Sequence, residues 1–404
     1  MHIAIVSLGA FGHINPTLSF VTELIKRGVR VTYFTTANFK EIIEGTGAKY
    51  VEVQSWMAGN DKHNETKEED KKEEKKDEKE ESVAAVVPFL FLNEAGAYID
   101  TVLDVLKEDR PDAIVHDFAG IAGTMAADIL GVPNVMLYTS YPSNDDYSVA
   151  ESFEGIPADH PMRIAADQIA EGYVAKYGCR KMTVKEIFDG KGDFNIVMMQ
   201  KRLVPNEEGY GDDFVFTGVQ IGKRTAFGSW QAPQNGKPLL YSSLGTAFNN
   251  WPEYYPILFD AVRDLDINVF AALGAIDPET LKDIPANVEV GKMVPQLDIL
   301  SQASVFITHA GMGGTGESIY YGVPMIAIPQ MDEQAITARQ IEKKGLGFAF
   351  LDKKAITSEA LKAAIVKILE DDSYRKTAKE FSDDMKTLGG ATASAEALIK
   401  FLEK

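Results

Sequence analysis

Residues 305–334 read VFITHAGMGGTGESIYYGVPMIAIPQMDEQ. A β-branched run, Val305–Thr308, ends in His309. Gly311, Gly313, Gly314 and Gly316 make a glycine-rich turn, and a helix-like segment with Glu317 follows. A second apolar run over residues 323–328 leads to Glu333 and Gln334. Strand, glycine turn, helix, strand is the parallel-sheet unit that turns backbone N–H groups toward a phosphate. His309 and the N–H groups of residues 311–315, Thr315 included, suit a diphosphate and would support a leaving nucleotide as its charge grows. Glu317 can accept from ribose hydroxyls, or serve only as an early acid on the helix dipole. Glu333 offers an acceptor, and Gln334 a donor and an acceptor, for sugar hydroxyls. The set points to a nucleotide-sugar site. Ser243 and Thr246, in a small-residue turn (SLGT) after another strand, could close over the phosphates.

Six histidines occur in the chain, and two of them, His13 and His309, each follow a buried strand in a glycine-containing turn, one in each half. Strand C-terminal ends are where open α/β sheets bind ligands. Asp117 also follows a strand, Ala113–His116. If that strand neighbours the first one, Asp117 can meet His13. A carboxylate on one imidazole nitrogen fixes the tautomer and stabilises the imidazolium formed when the other nitrogen takes a proton. The alternative for Asp117 is to cap the next helix. Phe89, Phe91, Phe118 and Tyr141 could line an apolar pocket or belong to the core.

The elements that must position these groups alternate. Strands are expected at residues 2–8, 29–34, 49–54, 113–116 and 135–138, with helices between them. Asn15 is placed as a cap and Pro16 at a first helical position. The pattern restarts at Leu239–Ser243, with a helix at 254–265 and strands at 268–273 and 288–290. Such alternation implies doubly wound parallel sheets, fold class α/β. Residues 222–238 have a linker composition. Residues 61–81 hold eleven acids and seven lysines with no aromatic, either a solvated insertion or a lid.

At 404 residues, two domains fit better than one. Net charge is −19, which argues against nucleic acid or an anionic membrane as partner. No apolar run reaches the roughly 18 residues of a membrane span. The single cysteine, Cys179, suits a reducing cytoplasm. HExxH and CxxC motifs are missing from the sequence, and no DxD is read as marking a metal-bridged diphosphate. A dinucleotide oxidoreductase would need GxGxxG after the first strand, where GAFGHINP stands instead.

Taken together, GAFGHINPTLSFVTELIKRGVRVTYFTT, HDFAGIAGTMAADILGVP, SLGTAFNNWPEYY and VPQLDILSQASVFITHAGMGGTGESIYYGVPMIAIPQMDEQ resemble glycosyltransferase family 1, closest to bacterial macrolide- and flavonoid-type UDP-glycosyltransferases. The resemblance implies a GT-B fold, two Rossmann-like domains facing a central cleft. It implies an acceptor domain over residues 1–222 and a nucleotide-sugar domain over residues 223–404, the last helix docking back on the first domain. It makes His13 the general base and Asp117 its orienting carboxylate. Met293, Val294 and Gln296 fall at the nucleobase and ribose, Ser243, Thr246, His309, Gly311, Gly313, Gly314 and Thr315 at the diphosphate, Glu317 at the ribose, and Glu333 and Gln334 at the sugar. Many members carry an aromatic where Met293 stands and Asn-Ser where Gly313 and Gly314 stand. The implied reaction inverts an α-linked UDP-hexose, taken as UDP-glucose, onto a hydroxyl of an apolar small molecule, without metal or further cofactor. An epimerase of the same fold and a non-catalytic auxiliary partner are the competing readings, and the oligomeric state is open.

Overall fold

The structure is a computed structural model describing residues 1–58, 83–144, 146–151, 159–222, 228–245, 251–274 and 276–404. The charged run 61–81 and Thr246 lie outside the described residues. The chain forms two units. The first comprises Met1–Met198, Pro205–Gln220 and Gly390–Lys404; the second comprises Met199–Val204 and Ile221–Gly389.

In the first unit the order is β1 (His2–Val6), α1 (Phe11–Lys26), β2 (Arg30–Thr35), α2 (Lys40–Glu44), β3 (Lys49–Glu52), α3 (Val83–Glu108), β4 (Ala113–His116), α4 (Ile121–Leu130), β5 (Asn134–Tyr138), α5 (Pro161–Tyr177), α6 (Val184–Asp189), β6 (Phe194–Val197) and β7 (Phe214–Phe216). The sheet order is β3-β2-β1-β4-β5-β6-β7, all parallel. β1 and β4 are buried along their whole length, so they read as unbroken apolar runs rather than alternating ones. Ile3, Ile5, Val115 and Leu137 pack under Phe20, Val21 and Leu24 of α1. Each such fully buried aliphatic side chain contributes roughly 1.5–3 kcal/mol.

The second unit holds β8 (Leu239–Ser243), α7 (Tyr254–Val262), β9 (Asn268–Ala272), β10 (Val288–Gly291), α8 (Gln296–Leu300), β11 (Val305–Thr308), α9 (Met312–Tyr321), β12 (Met325–Ala327), α10 (Asp332–Lys343), β13 (Gly347–Ala349), α11 (Ser358–Glu370) and α12 (Asp372–Thr387). Its sheet runs β10-β9-β8-β11-β12-β13, also parallel. The last helix, α13 (Gly390–Leu402), returns to the first unit. There Leu398 enters the core and Phe401 stacks on Phe194 at 4.7 Å.

Both sheets reverse direction once. The chain winds outward from β1 through β2 to β3, then from β4 to β7 the other way. The reversal falls between β1 and β4, and its counterpart between β8 and β11. These are the topological switch points where open α/β sheets bind ligands.

Three expectations are corrected. α1 starts at Phe11 rather than at Pro16, with Ala10 extended and no side-chain cap, so Pro16 lies inside the helix. Its missing N–H costs only one bond near the helix start. Likewise α9 starts at Met312, so Gly313, Gly314 and Gly316 are helical and not a preceding turn. One stretch of α3, Val86–Glu108, is apolar and long enough to cross a membrane, with mean hydropathy 1.3. Leu92, Ile99, Val102 and Leu106 of this helix are instead packed in the core of the first unit.

Candidate functional site

At the first switch point, β1 ends at Val6 and its partner β4 at His116. The first turn of α1 brings His13 over the sheet edge, where its Nδ1 lies 2.8 Å from Asp117 Oδ2. Asp117 is buried, and its other oxygen accepts from the N–H groups of Ala119 (2.9 Å) and Gly120 (3.0 Å). Burial pushes the Asp117 carboxyl up. The charge and hydrogen bond of His13, helped by His116 and the Ala119 N–H, outweigh that and leave it below the usual carboxylate range. Asp117 thus holds the imidazole and the turn that precedes α4; it does not cap that helix, whose N-cap is Gly120 with no side-chain cap.

Behind the pair lies His116, which the motif search passed over. Its Nδ1 meets the Asp117 carbonyl at 2.9 Å, and its Nε2 meets Thr124 Oγ1 at 3.2 Å and Asn134 Oδ1 at 2.6 Å. A Cβ added at Gly123 would fall 2.7 Å from His116 Cβ, so this position of α4 is glycine because the histidine side chain occupies that space. The one available signal was position, a polar residue ending an apolar strand beside Asp117. In front, Phe118 tilts against His13 at 5.7 Å between ring centroids, and Phe91 of α3 meets Phe118 edge-on at 5.8 Å. Phe89 is half-buried against Trp56, and Tyr141 is buried. Phe91 and Phe118 therefore adjoin the histidine, and Phe89 sits one contact further out.

At the second switch point Ser243 and Thr308 end the paired strands β8 and β11. His309 follows. Its Nδ1 edge is enclosed, and burial lowers its pKa to about 4, with only a small opposing effect from the Ser243 main chain, which makes no hydrogen bond of good geometry to Nδ1. The imidazole is neutral at neutral pH. Two glycines flank its other edge. A Cβ on Gly245, which has φ +90°, would sit 2.8 Å from His309 Nε2, and one on Gly311 would collide with the same nitrogen. Ala310 adopts φ +63°, a left-handed conformation that costs a non-glycine residue about 1 kcal/mol or more. It turns the chain so that α9 starts at once.

No side chain caps α9. The N–H groups of Met312, Gly313 and Gly314 have no acceptor within the helix and carry its positive dipole end. Thr315 differs, because its N–H donates to the Gly311 carbonyl at 3.0 Å and its hydroxyl is enclosed. Deeper on α9, Glu317 is buried and accepts from Gln296 Nε2 at 2.6 Å, while Tyr241 donates to Gln296 Oε1 at 2.9 Å. Tyr241 itself stacks on Phe306 at 4.9 Å. The sequence search missed Tyr241, although it shares a strand face with Ser243 two residues on. Met293, 46% exposed, and half-buried Val294 occupy the loop between β10 and α8. α10 is joined to α9 by Thr337, whose hydroxyl meets Met312 Sδ at 3.4 Å. At its start Glu333 is exposed, and Gln334 is buried with Oε1 accepting from the Gln330 N–H at 2.7 Å. Among the described residues no group of three or more His, Cys, Asp or Glu could hold a metal ion.

Two parallel α/β units with polar groups at each switch point define a class, the GT-B glycosyltransferases. The calicheamicin glycosyltransferase CalG4 matches with a TM-score of 0.83 and 27% identity, over 100% of this chain and 98% of that one. The chain belongs to the bacterial NDP-glycosyltransferases and is an enzyme of that family. It is 34% identical to NDP-glycosyltransferase YjiC of Bacillus licheniformis, over 99% of this chain and 98% of the relative. It is 29% identical to the oleandomycin glycosyltransferase of Streptomyces antibioticus, over 98% and 90%. Residues 256–400 match the family described as erythromycin biosynthesis protein CIII-like, C-terminal domain.

Proposed function

We propose that the enzyme moves a hexose, glucose by preference, from a UDP-sugar to a hydroxyl of an apolar natural product, with inversion at the anomeric carbon. The carrying observation is the His13–Asp117 pair at 2.8 Å. A carboxylate on Nδ1 selects the tautomer whose Nε2 lone pair takes a proton. His13 removes the proton of the acceptor hydroxyl. The oxygen forms its bond to the anomeric carbon as the bond to the β-phosphate oxygen breaks, and UDP leaves with the electron pair. The N–H groups opening α9 and the neutral His309 receive the growing negative charge. Glu317, held by Gln296, takes the ribose hydroxyls, Met293 and Val294 cover the base, and Glu333 and the Gln334 amide hold the sugar. Ser243 and Thr246 close the phosphate side. The acceptor pocket is assigned to Phe89, Phe91, Phe118 and Tyr141, and no metal or further cofactor is required. A natural-product acceptor is in keeping with the names of the oleandomycin and calicheamicin relatives. The reaction is placed in the cytoplasm, where Cys179 stays reduced.

The test is a donor panel, UDP-glucose among other nucleotide sugars, against a flavonoid-like and a macrolide acceptor, with product mass and anomeric configuration read out. His13→Ala should remove nearly all transfer while UDP binding persists. Unchanged turnover in that variant would overturn the mechanism.

A further inference from the structure

We infer that His116 is a positioning residue of the His13–Asp117 pair, acting through the main chain of Asp117. The inference rests on the proposed role of that pair. Two bonds hold the Asp117 carbonyl, one from His116 Nδ1 at 2.9 Å and one from the Gly120 N–H at 2.9 Å. The Asp117 side chain bonds forward to Ala119 and Gly120, beyond the end of β4, and across to His13 on α1. Of these contacts only the one from His116 comes from a side chain of β4 itself. Without it the Asp117 carbonyl keeps only the Gly120 N–H, and the residue can shift so that its carboxylate moves relative to His13 Nδ1. A shift of about 1 Å in a catalytic group costs up to about 100-fold in rate.

The imidazole is built in for this contact. It is 1% exposed and stands where β4 otherwise carries Ile114 and Val115. An aliphatic side chain would fill that position without any polar group to satisfy. Gly123 clears room for the ring, and Thr124 and Asn134 grip its far nitrogen. The Asp117 contact also defines the tautomer. A carbonyl only accepts, so Nδ1 carries the hydrogen. Nε2 then has a lone pair and takes the Thr124 hydroxyl, and the Asn134 amide, whose Oδ1 stands 2.6 Å from Nε2, must turn over to present its NH₂. Free histidine favours the opposite tautomer in water, so this one is a signature of the Asp117 contact.

Four measurements decide it. ¹⁵N spectroscopy on the intact enzyme should show His116 neutral with hydrogen on Nδ1; hydrogen on Nε2 would overturn the inference. His116→Gln, whose amide reaches toward the Nε2 position, should lower kcat about 10- to 100-fold with the KM for UDP-sugar unchanged. His116→Asn, whose amide nitrogen overlays Nδ1, should recover most of that loss. If Gln and Asn behave alike, or if activity per folded molecule stays at the wild-type level in both, His116 serves stability alone. In a His13→Ala background His116→Gln should bring no further loss, because it acts through a pair already broken. A further multiplicative loss would also overturn the inference. Should His13→Ala itself leave turnover intact, the reading of the pair fails first, which separates the two failures.

Discussion

Gln296 and Glu317, 21 residues apart on different helices, hold each other: Gln296 Nε2 donates to Glu317 Oε2 at 2.6 Å. The Tyr241 phenol fixes the other end of the Gln296 amide, and burial raises the pKa of that phenol, so it remains a donor. Two side chains, Tyr241 from β8 and Gln296 from α8, thereby set the direction of the Glu317 carboxylate on α9. Gln296→Ala should weaken UDP binding about 10-fold, and Tyr241→Phe about threefold, because the phenol acts one bond further away. Titration calorimetry with UDP measures both. A larger loss in Tyr241→Phe than in Gln296→Ala would contradict the relay.

Asp117→Asn keeps the shape of the first site and removes the charge that stabilises an imidazolium on His13. Its amide can also present NH₂ to Nδ1 and favour the wrong tautomer. kcat should fall about 10²- to 10⁴-fold, as when the carboxylate of a comparable histidine pair is neutralised. UDP affinity, measured separately, should stay within about twofold, because Asp117 lies in the first unit.

Both pairs contrast with what sequence alone reveals. β1, β4, β8 and β11 were legible because strands buried on both faces need unbroken apolar runs. Asp117 and His309 were legible because each directly follows such a run, and His13 because it lies in the glycine-containing stretch after β1. Helix onsets were not. Local propensity favours a start at Asn15–Pro16 and disfavours helix across Gly313, Gly314 and Gly316. Strand-end geometry overrides that preference, starting α1 at Phe11 and α9 at Met312. The grip of Tyr241 on Gln296, and of His116 on Asp117, depends on which strands become neighbours and which rotamers fit. Spacing along the chain encodes neither.

The glycines of residues 311–314 are not equivalent. A Cβ on Gly311 would collide with His309 Nε2, whereas one on Gly313 meets nothing within 4 Å. Gly311→Ala should therefore displace the imidazole and weaken UDP binding more than 10-fold. Gly313→Ala lies in a helix with open space around it, and should raise stability by about 0.5–1 kcal/mol with UDP affinity nearly unchanged. Thermal unfolding and UDP titration of the two variants separate these outcomes. Equal losses of affinity would show that backbone freedom, and not the space beside His309, is what the site needs.

His309 also makes the stability of the protein depend on pH. Burial holds its folded-state pKa near 4, against about 6.5 for an unperturbed histidine. As pH falls below about 6.5 the unfolded chain takes up a proton that the folded chain refuses. Stability therefore drops between pH 6.5 and 4 and levels off below, the direction expected for a depressed pKa. At pH 5 the loss from this one residue is at most about 2 kcal/mol. His309→Gln removes the titrating group, so cooling of the calorimetric Tm between pH 7.5 and 5 should be smaller in the variant by on the order of 5 °C. Saturating UDP adds a second comparison. A diphosphate beside Nε2 favours the charged imidazole and raises its pKa, so UDP should shrink the acid-induced loss in the wild-type protein and leave the slope of His309→Gln as it was. If UDP shifts the Tm of both proteins equally at every pH, His309 does not face the diphosphate.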